Sequence, residues 1–185
     1  MNVKVLSADR FGVPQRRRRA IFIGNKIGKE NIFPDPDNLR KRFLRGGKNA
    51  WTVGDAFANL KSKDGSPPFN HDVAAARIPS DIERRRIECI PQGGSIRYKK
   101  DEDKFFKKHP ELKFDVDWKK IDEGRFRQKK LNRLHRKKPS PTIMTGRHTY
   151  YHPTKTRYLT AREAAAIQSF PNEFVFEGTI AQQWR

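Results

Sequence analysis

Apolar positions are sparse along this chain, and their spacing predicts a short series of elements. "VKVL" (3–6) has the alternation of a strand, and "AIFIG" (20–24) is a continuous apolar run ended by glycine, read as a second, more buried strand. "TVGDAFANL" (52–60) predicts a short helix from Val53, with Ala56, Phe57 and Leu60 on one side. "KSKDGSPPFN" (61–70) is loop. "SDIERRRIECI" (80–90) predicts a helix capped by Ser80 or Asp81, with Ile82, Ile87 and Ile90 as its narrow apolar face, stopped by "PQGGS". Near the end, "SPTIMTG" (140–146) is strand-like. "LTAREAAAIQSFP" (159–171) is a helix opened by a Thr160/Glu163 capping box and closed by Pro171. "EFVFEG" (173–178) alternates like an edge strand.

Composition narrows the picture. Of the 185 residues 35% are hydrophobic and 34% charged, which implies a modest core under much surface. Lys and Arg total 41 against 21 acids, a net charge of +20, so the expected partner is a polyanion. No apolar run approaches the roughly 18 residues that span a bilayer, and the opening "MNVKVLSADRFGVPQ" lacks the features of a secretory leader. A single cysteine, Cys89, excludes an internal disulfide and is read as a small buried apolar residue. Nucleic acid in a reducing, cytoplasmic and nucleoid-associated setting is the expectation.

"GVPQRRRRAIFIG" (12–24) sets four arginines against an apolar strand. In extended backbone side chains alternate between faces, so Arg17 and Arg19 share one face and Arg16 and Arg18 the other. One pair then points into a site at the strand's start, while the other meets solvent or phosphate. A solvated basic patch is the plainer reading of the run taken alone.

The surrounding residues change that balance. "SADRFGVPQRRRRAIFIG" resembles the G-x-P-Q-x-R-x-R motif of the DNA (cytosine-5) methyltransferases. "SPTIMTGRHTYYHPTKTRYLTAREAAAIQSFPNEFVFEG" resembles the segment that follows the family's target recognition domain, with its P-S-P-T-I, R-x-L-T-x-R-E and Q-S-F-P patterns. The resemblance implies that Gln15, Arg17 and Arg19 line the pocket for a flipped cytosine, with Arg19 approaching the base's carbonyl oxygen. A guanidinium fixed there favours the charge that develops when a nucleophile adds to the ring. The middle of the chain, where the family places its variable domain, matches only loosely.

Other family parts do not stand out. Cys89 has proline two residues after it rather than directly before, and "ENI" (30–32) falls after the arginine motif, in the wrong order for the family's acid motif. No G-x-G loop follows a strand, and the family normally continues past "AQQWR". The resemblance therefore implies that S-adenosyl-L-methionine, the nucleophile and the proton donor belong to a complementary chain or an N-terminal half. Inactivity of this chain alone is expected.

Two loops are candidates for reading DNA. "QGGSIRYKK" (92–100) offers Arg97 and glycines that permit close backbone approach, and "TGRHTYYHPTK" (145–155) offers Arg147, His148, Tyr150 and Tyr151. Cations of 97–138, Arg133 among them, together with Arg16 and Arg18, are expected on phosphates. The aromatics interleaved with them (Phe105, Phe106, Phe114, Trp118, Phe126) serve either core packing or base stacking. His148 and His152 have a zinc-like spacing but no companion ligands, so they are read as solvated or DNA-facing and no metal is expected.

The expected fold is α/β: the last strands of a Rossmann-like sheet (1–30), an irregular β- and loop-rich target recognition domain (31–155), and a helix segment returning to the catalytic domain (156–185). The expected function is recognition of double-stranded DNA and completion of the cytosine pocket in such an enzyme, within a restriction-modification system. The alternative is a non-enzymatic basic nucleic-acid-binding protein with decayed motifs.

Overall fold

The computed structural model describes residues 1–37, 52–58, 60, 68–122, 130–146 and 150–184. Arg147, His148 and Phe126 lie outside these residues. The architecture is mixed α/β, and the described residues form two small separate sheets and a set of short helices that includes one near the C-terminus.

β1 (Asn2–Ser7) and β2 (Arg18–Ile23) form an antiparallel pair in which Ser7 faces Arg18 and Asn2 faces Ile23. A 3-10 turn (Ala8–Phe11) leaves β1 and is closed by Gly12 in the left-handed region (φ 87°). β2 is not the buried strand its apolar run predicts: Phe22 is 63% exposed, and Val5 on the facing strand 55%. Its apolar side chains lack cover because no third strand among the described residues joins this sheet.

The middle of the chain packs around two adjacent cores. α1 (Val53–Ala58) starts where its sequence predicts, opened by a reciprocal Thr52/Asp55 cap: the Thr52 N–H donates to Asp55 Oδ2 (3.0 Å) and the Asp55 N–H to Thr52 Oγ1 (3.2 Å). Its first free N–H groups donate to the carbonyls of Lys138 (from Val53, 3.0 Å) and Arg136 (from Gly54, 2.8 Å). α2 (Asp81–Cys89) is capped by Ser80 and buries Ile87, with Ile90 buried just beyond it, while Ile82 faces solvent. Its far end is held by Arg133, whose Nη1 donates to the carbonyls of Ile87 (2.9 Å) and Ile90 (2.8 Å). α3 (Lys99–Phe105) and α4 (Trp118–Asp122) lie in the basic stretch, where apolar spacing predicts no element. Buried Glu102 ties them together by accepting the Phe114 N–H and the Trp118 indole N–H (2.8 Å).

β3 (Asn132–Arg133) pairs in parallel with β4 (Tyr150–Tyr151). Strand alternation here divides the two cores. Tyr151 joins the cluster of Ile78, Ile87, Ile90, Ile96 and Phe106, while Tyr150 joins Val53, Leu134, Ile143, Leu159 and Ile167. Tyr151 and Tyr158 both donate to Glu83 Oε1 (2.5 Å each), fastening α2 to this seam. Burial together with this carboxylate pushes the Tyr151 hydroxyl far above its ordinary range.

α5 (Ala161–Ile167) carries the predicted capping box but ends before Pro171. Ser169 enters the left-handed region (φ 64°) and the Phe170 N–H returns to the Ala165 carbonyl (3.1 Å), a helix-terminating turn that precedes the proline. Residues 173–178 form no strand, and 140–146 pair only through Ser140.

Gly54 → Ala places a methyl 2.8 Å from the Arg136 carbonyl, whereas Gly24 → Ala meets nothing within 4 Å. The first is expected to cost about 1–3 kcal/mol in denaturant unfolding, the second less than about 0.5 kcal/mol. Equal midpoints would contradict the packing.

Candidate functional site

The segment before β2 is stitched to a chain region more than a hundred residues away. The Ser140 N–H donates to the Pro14 carbonyl (2.9 Å), the Arg16 N–H to the Ser140 carbonyl (2.7 Å), and the Thr142 hydroxyl to the Arg16 carbonyl (3.1 Å). Gln15 and Ser140 form a parallel bridge, and both are buried. This seam brings the arginine run against α5 and the residues around it.

A cleft of about 560 Å³ opens there. Arg17 and Arg19 line it from one side, Thr142, Met144 and Thr145 along the seam, Ala161, Ala164 and Gln168 from α5, and Phe170, Phe176, Gln183 and Trp184 from the chain that follows. Arg16 and Arg18 do not line it, as alternation along extended backbone requires. The Arg16 guanidinium instead stands 3.5 Å from the Asp9 carboxylate, and Arg18 is exposed. Arg19 Nη1 donates to the Arg18 carbonyl (2.8 Å). Gln15 is not among the lining residues: it sits at 2% exposure beneath the seam, and among the described residues its Nε2 has no acceptor. Among the described residues that line the cleft, the charged ones are the two guanidiniums.

The opposite wall rests on two buried charges. Arg162 is wholly buried and spends its guanidinium on three carbonyls: Phe69 (2.8 Å), Pro171 (2.9 Å) and Phe174. Glu163 accepts both terminal nitrogens of Arg157 (2.8 and 2.6 Å) and the Thr160 N–H (3.0 Å). Burial opposes the Glu163 charge, but the Arg157 bonds and charge outweigh it and hold the carboxyl below its usual range. Buried charges so fully satisfied specify one arrangement of the helix and the loop before it.

Other predicted contacts fall elsewhere. Arg97 is exposed, with its guanidinium 5.4 Å from the Tyr98 ring. Arg133 is turned inward, adding the Pro153 carbonyl (3.1 Å) to the two that cap α2. Tyr150 is also interior and donates to the Thr142 carbonyl (2.6 Å). The glycines of 92–94 serve packing: a side chain on Gly93 (φ 80°) would meet the His135 ring at 3.2 Å, and one on Gly94 would meet Ile90 at 2.7 Å. Among the described aromatics of the basic stretch, Phe106 is core, with Phe105, Phe114 and Trp118 packed on it.

His152 is not solvated. It is stacked on Phe57 at 5.2 Å, and its Nδ1 accepts the N–H groups of Thr154 (3.2 Å) and Lys155 (3.0 Å). Burial lowers its pKa to about 4 despite Glu163 nearby. Among the described residues no group of three or more His, Cys, Asp or Glu side chains could hold a metal, and no helix is long and apolar enough to cross a membrane. Burial pushes the Cys89 thiol up, and it is half-buried beside the first core. The aromatic and amide lining of the cleft was hidden in the sequence because "QSFP" reads as a helix end rather than as a wall.

Two guanidiniums, aromatic side chains and amides thus surround one cleft on a strongly basic chain. Residues 1–185 match the model of the C-5 cytosine-specific DNA methylases, and the chain belongs to that family, an S-adenosylmethionine-dependent enzyme class. It is 34% identical over 184 residues to Type II methyltransferase M1.HphI of Haemophilus parahaemolyticus, covering 97% of this chain and 41% of that protein. M.NgoFVII of Neisseria gonorrhoeae is 30% identical over 186 residues (98% and 44%). M.Eco47II of Escherichia coli is 28% identical over 188 (98% and 40%). The chain spans less than half the length of these relatives.

The His152 environment fixes a pH response. Its folded pKa of about 4 lies below the ordinary 6.5, so the unfolded chain takes up the proton first as pH falls. Stability is fully present above about pH 6.5 and declines by up to about 3 kcal/mol on the way to pH 4. His152 → Asn keeps an acceptor for the Thr154 and Lys155 N–H groups but does not titrate. Urea midpoints between pH 4 and 6.5 are therefore expected to fall less steeply in the variant, and parallel slopes would refute the assignment.

Proposed function

We propose that this chain is the target-recognition and cytosine-pocket part of a DNA (cytosine-5) methyltransferase, acting on double-stranded DNA in a restriction-modification system. The observation that carries the reading is the pairing of Arg17 and Arg19 on one cleft with aromatic and amide side chains. Within it, a cytosine turned out of the duplex stacks on the aromatic wall while Arg19 faces the ring carbonyl. When a nucleophile adds to the ring, negative charge grows on that oxygen and the adjacent nitrogen, and a guanidinium already in place stabilises it without reorganisation. Arginine stays protonated throughout and acts as a clamp rather than an acid. Gln15 braces the seam that fixes the start of β2. Arg16, Arg18 and Arg97 take phosphates; Arg133 and Tyr150 hold the scaffold.

The residues described here do not fit S-adenosylmethionine. β1 runs into a 3-10 turn and β2 into the loop at Gly24, and neither opens a helix from a glycine-rich turn. The methyl donor, nucleophile and proton donor then come from a complementary chain or N-terminal half. The exposed apolar side chains of Val3, Val5, Ile21 and Phe22 support docking of such a partner on the hairpin.

In an enzyme reconstituted with a complementary half, Arg19 → Ala is expected to lower methyl transfer by about 10²-fold or more and to leave duplex affinity within about twofold. Arg18 → Ala should instead reduce the salt slope of binding by about 0.9 while sparing turnover. Equal loss of transfer and binding in Arg19 → Ala would favour a basic nucleic-acid-binding protein with decayed motifs.

A further inference from the structure

The backbone of α5 holds only the first residue of the aromatic wall that departs from it, through the Phe170 N–H and the Ala165 carbonyl (3.1 Å). Residues 170–176 leave α5 after the turn at Ser169 and form no regular structure of their own. Phe170, Phe174 and Phe176 pack on one another, with centroids 4.9 to 5.4 Å apart, but Phe170 and Phe174 are 37% and 44% exposed. Ring contacts so open to solvent do not fix a backbone.

Two residues do. Arg162 takes the carbonyls of Pro171 and Phe174, and Asn70 takes both backbone groups of Phe176. Its Nδ2 donates to the Phe176 carbonyl (2.8 Å) and the Phe176 N–H donates to its Oδ1 (2.9 Å). This two-way clip copies one rung of a sheet with a side chain, across 106 positions of sequence. Asn70 is itself fastened, since its carbonyl accepts the Arg162 N–H (3.1 Å) at the start of α5. Its backbone lies in the left-handed region (φ 59°), which asparagine tolerates far better than other residues with a Cβ. An amide is the side chain that both suits this backbone and presents a donor and an acceptor side by side.

We infer that Asn70 is a positioning residue for the cleft: by clipping the Phe176 backbone to the start of α5 it holds the aromatic wall opposite Arg17 and Arg19. The inference rests on the base-pocket reading given above. Asn70 touches neither guanidinium and is not among the cleft-lining residues, so its influence on a bound base runs through Phe176 and Phe170.

The test uses the whole chain and two variants. Asn70 → Gly keeps the left-handed backbone and deletes the clip; Asn70 → Asp keeps the acceptor and loses the donor. Hydrogen exchange over 170–178 is expected to quicken by roughly tenfold or more in Asn70 → Gly. Asn70 → Asp should be intermediate, and exchange in α2 should be unchanged in both. The second readout is the ratio of affinities for a duplex with a mispaired cytosine and the same duplex fully paired. Wild type should favour the mispaired cytosine. Asn70 → Gly should lose most of that preference with paired-duplex affinity unchanged, and Asn70 → Asp should recover part of it.

Unchanged exchange over 170–178 in Asn70 → Gly would overturn the inference. So would faster exchange with an intact preference, since the clip would then be structural only. If wild type itself shows no preference, the base-pocket reading fails, and with it the role given to Asn70, even though the clip is real. If Asn70 → Gly does not fold, the same two comparisons on Asn70 → Asp decide the matter.

Discussion

The seam between residues 14–16 and 140–142 is the constraint on which the rest of the site depends. Its backbone bonds are ordinary in kind, but they close a loop of more than a hundred residues, so their entropic cost must be met by the cores folded between them. Pro14 and Gln15 are both buried at it, Gln15 at 2% exposure. Once the seam is closed, the strand direction decides which arginines face the cleft.

The second support is electrostatic. Arg162 and Glu163 are adjacent on α5 and both are buried, yet they solve different problems. Glu163 closes the helix's own capping box and draws in Arg157, binding the loop before the helix. Arg162 reaches carbonyls before and after the helix, at Phe69, Pro171 and Phe174. A charged side chain with multiple donors suits this work because the carbonyls of irregular chain have no ladder to join. One helix of seven residues thus organises chain on both sides of it. The same logic explains Arg133, a cation that composition assigns to phosphate and the fold uses to cap α2.

Much of the local structure was legible from sequence. The Thr160/Glu163 box, the Ser80 cap, the start of α1 at Val53 and the separate strands β1 and β2 are all dictated by residues within a few positions of one another, where capping and alternation operate. So was the sharing of one face by Arg17 and Arg19, which follows from extended backbone alone. The family, too, was readable from two short motifs. Which arginines of a basic chain are free to meet DNA was not readable, because that depends on whether a carbonyl from a distant segment has already claimed the guanidinium.

The sequence by itself therefore determined the capped helices α1, α2 and α5, the first two strands, the charge and the facing of the arginine pair, because these depend on neighbours a few residues away. Tertiary structure alone decided the rest. It exposed a strand that reads as buried and buried His152, which reads as solvated. It also turned the "QGG" glycines from DNA approach to packing and made "QSFP" a cleft wall. Each of these depends on what stands opposite the residue in space, and a hydrogen-bond partner or a covering side chain 100 positions away leaves no periodic trace in the chain.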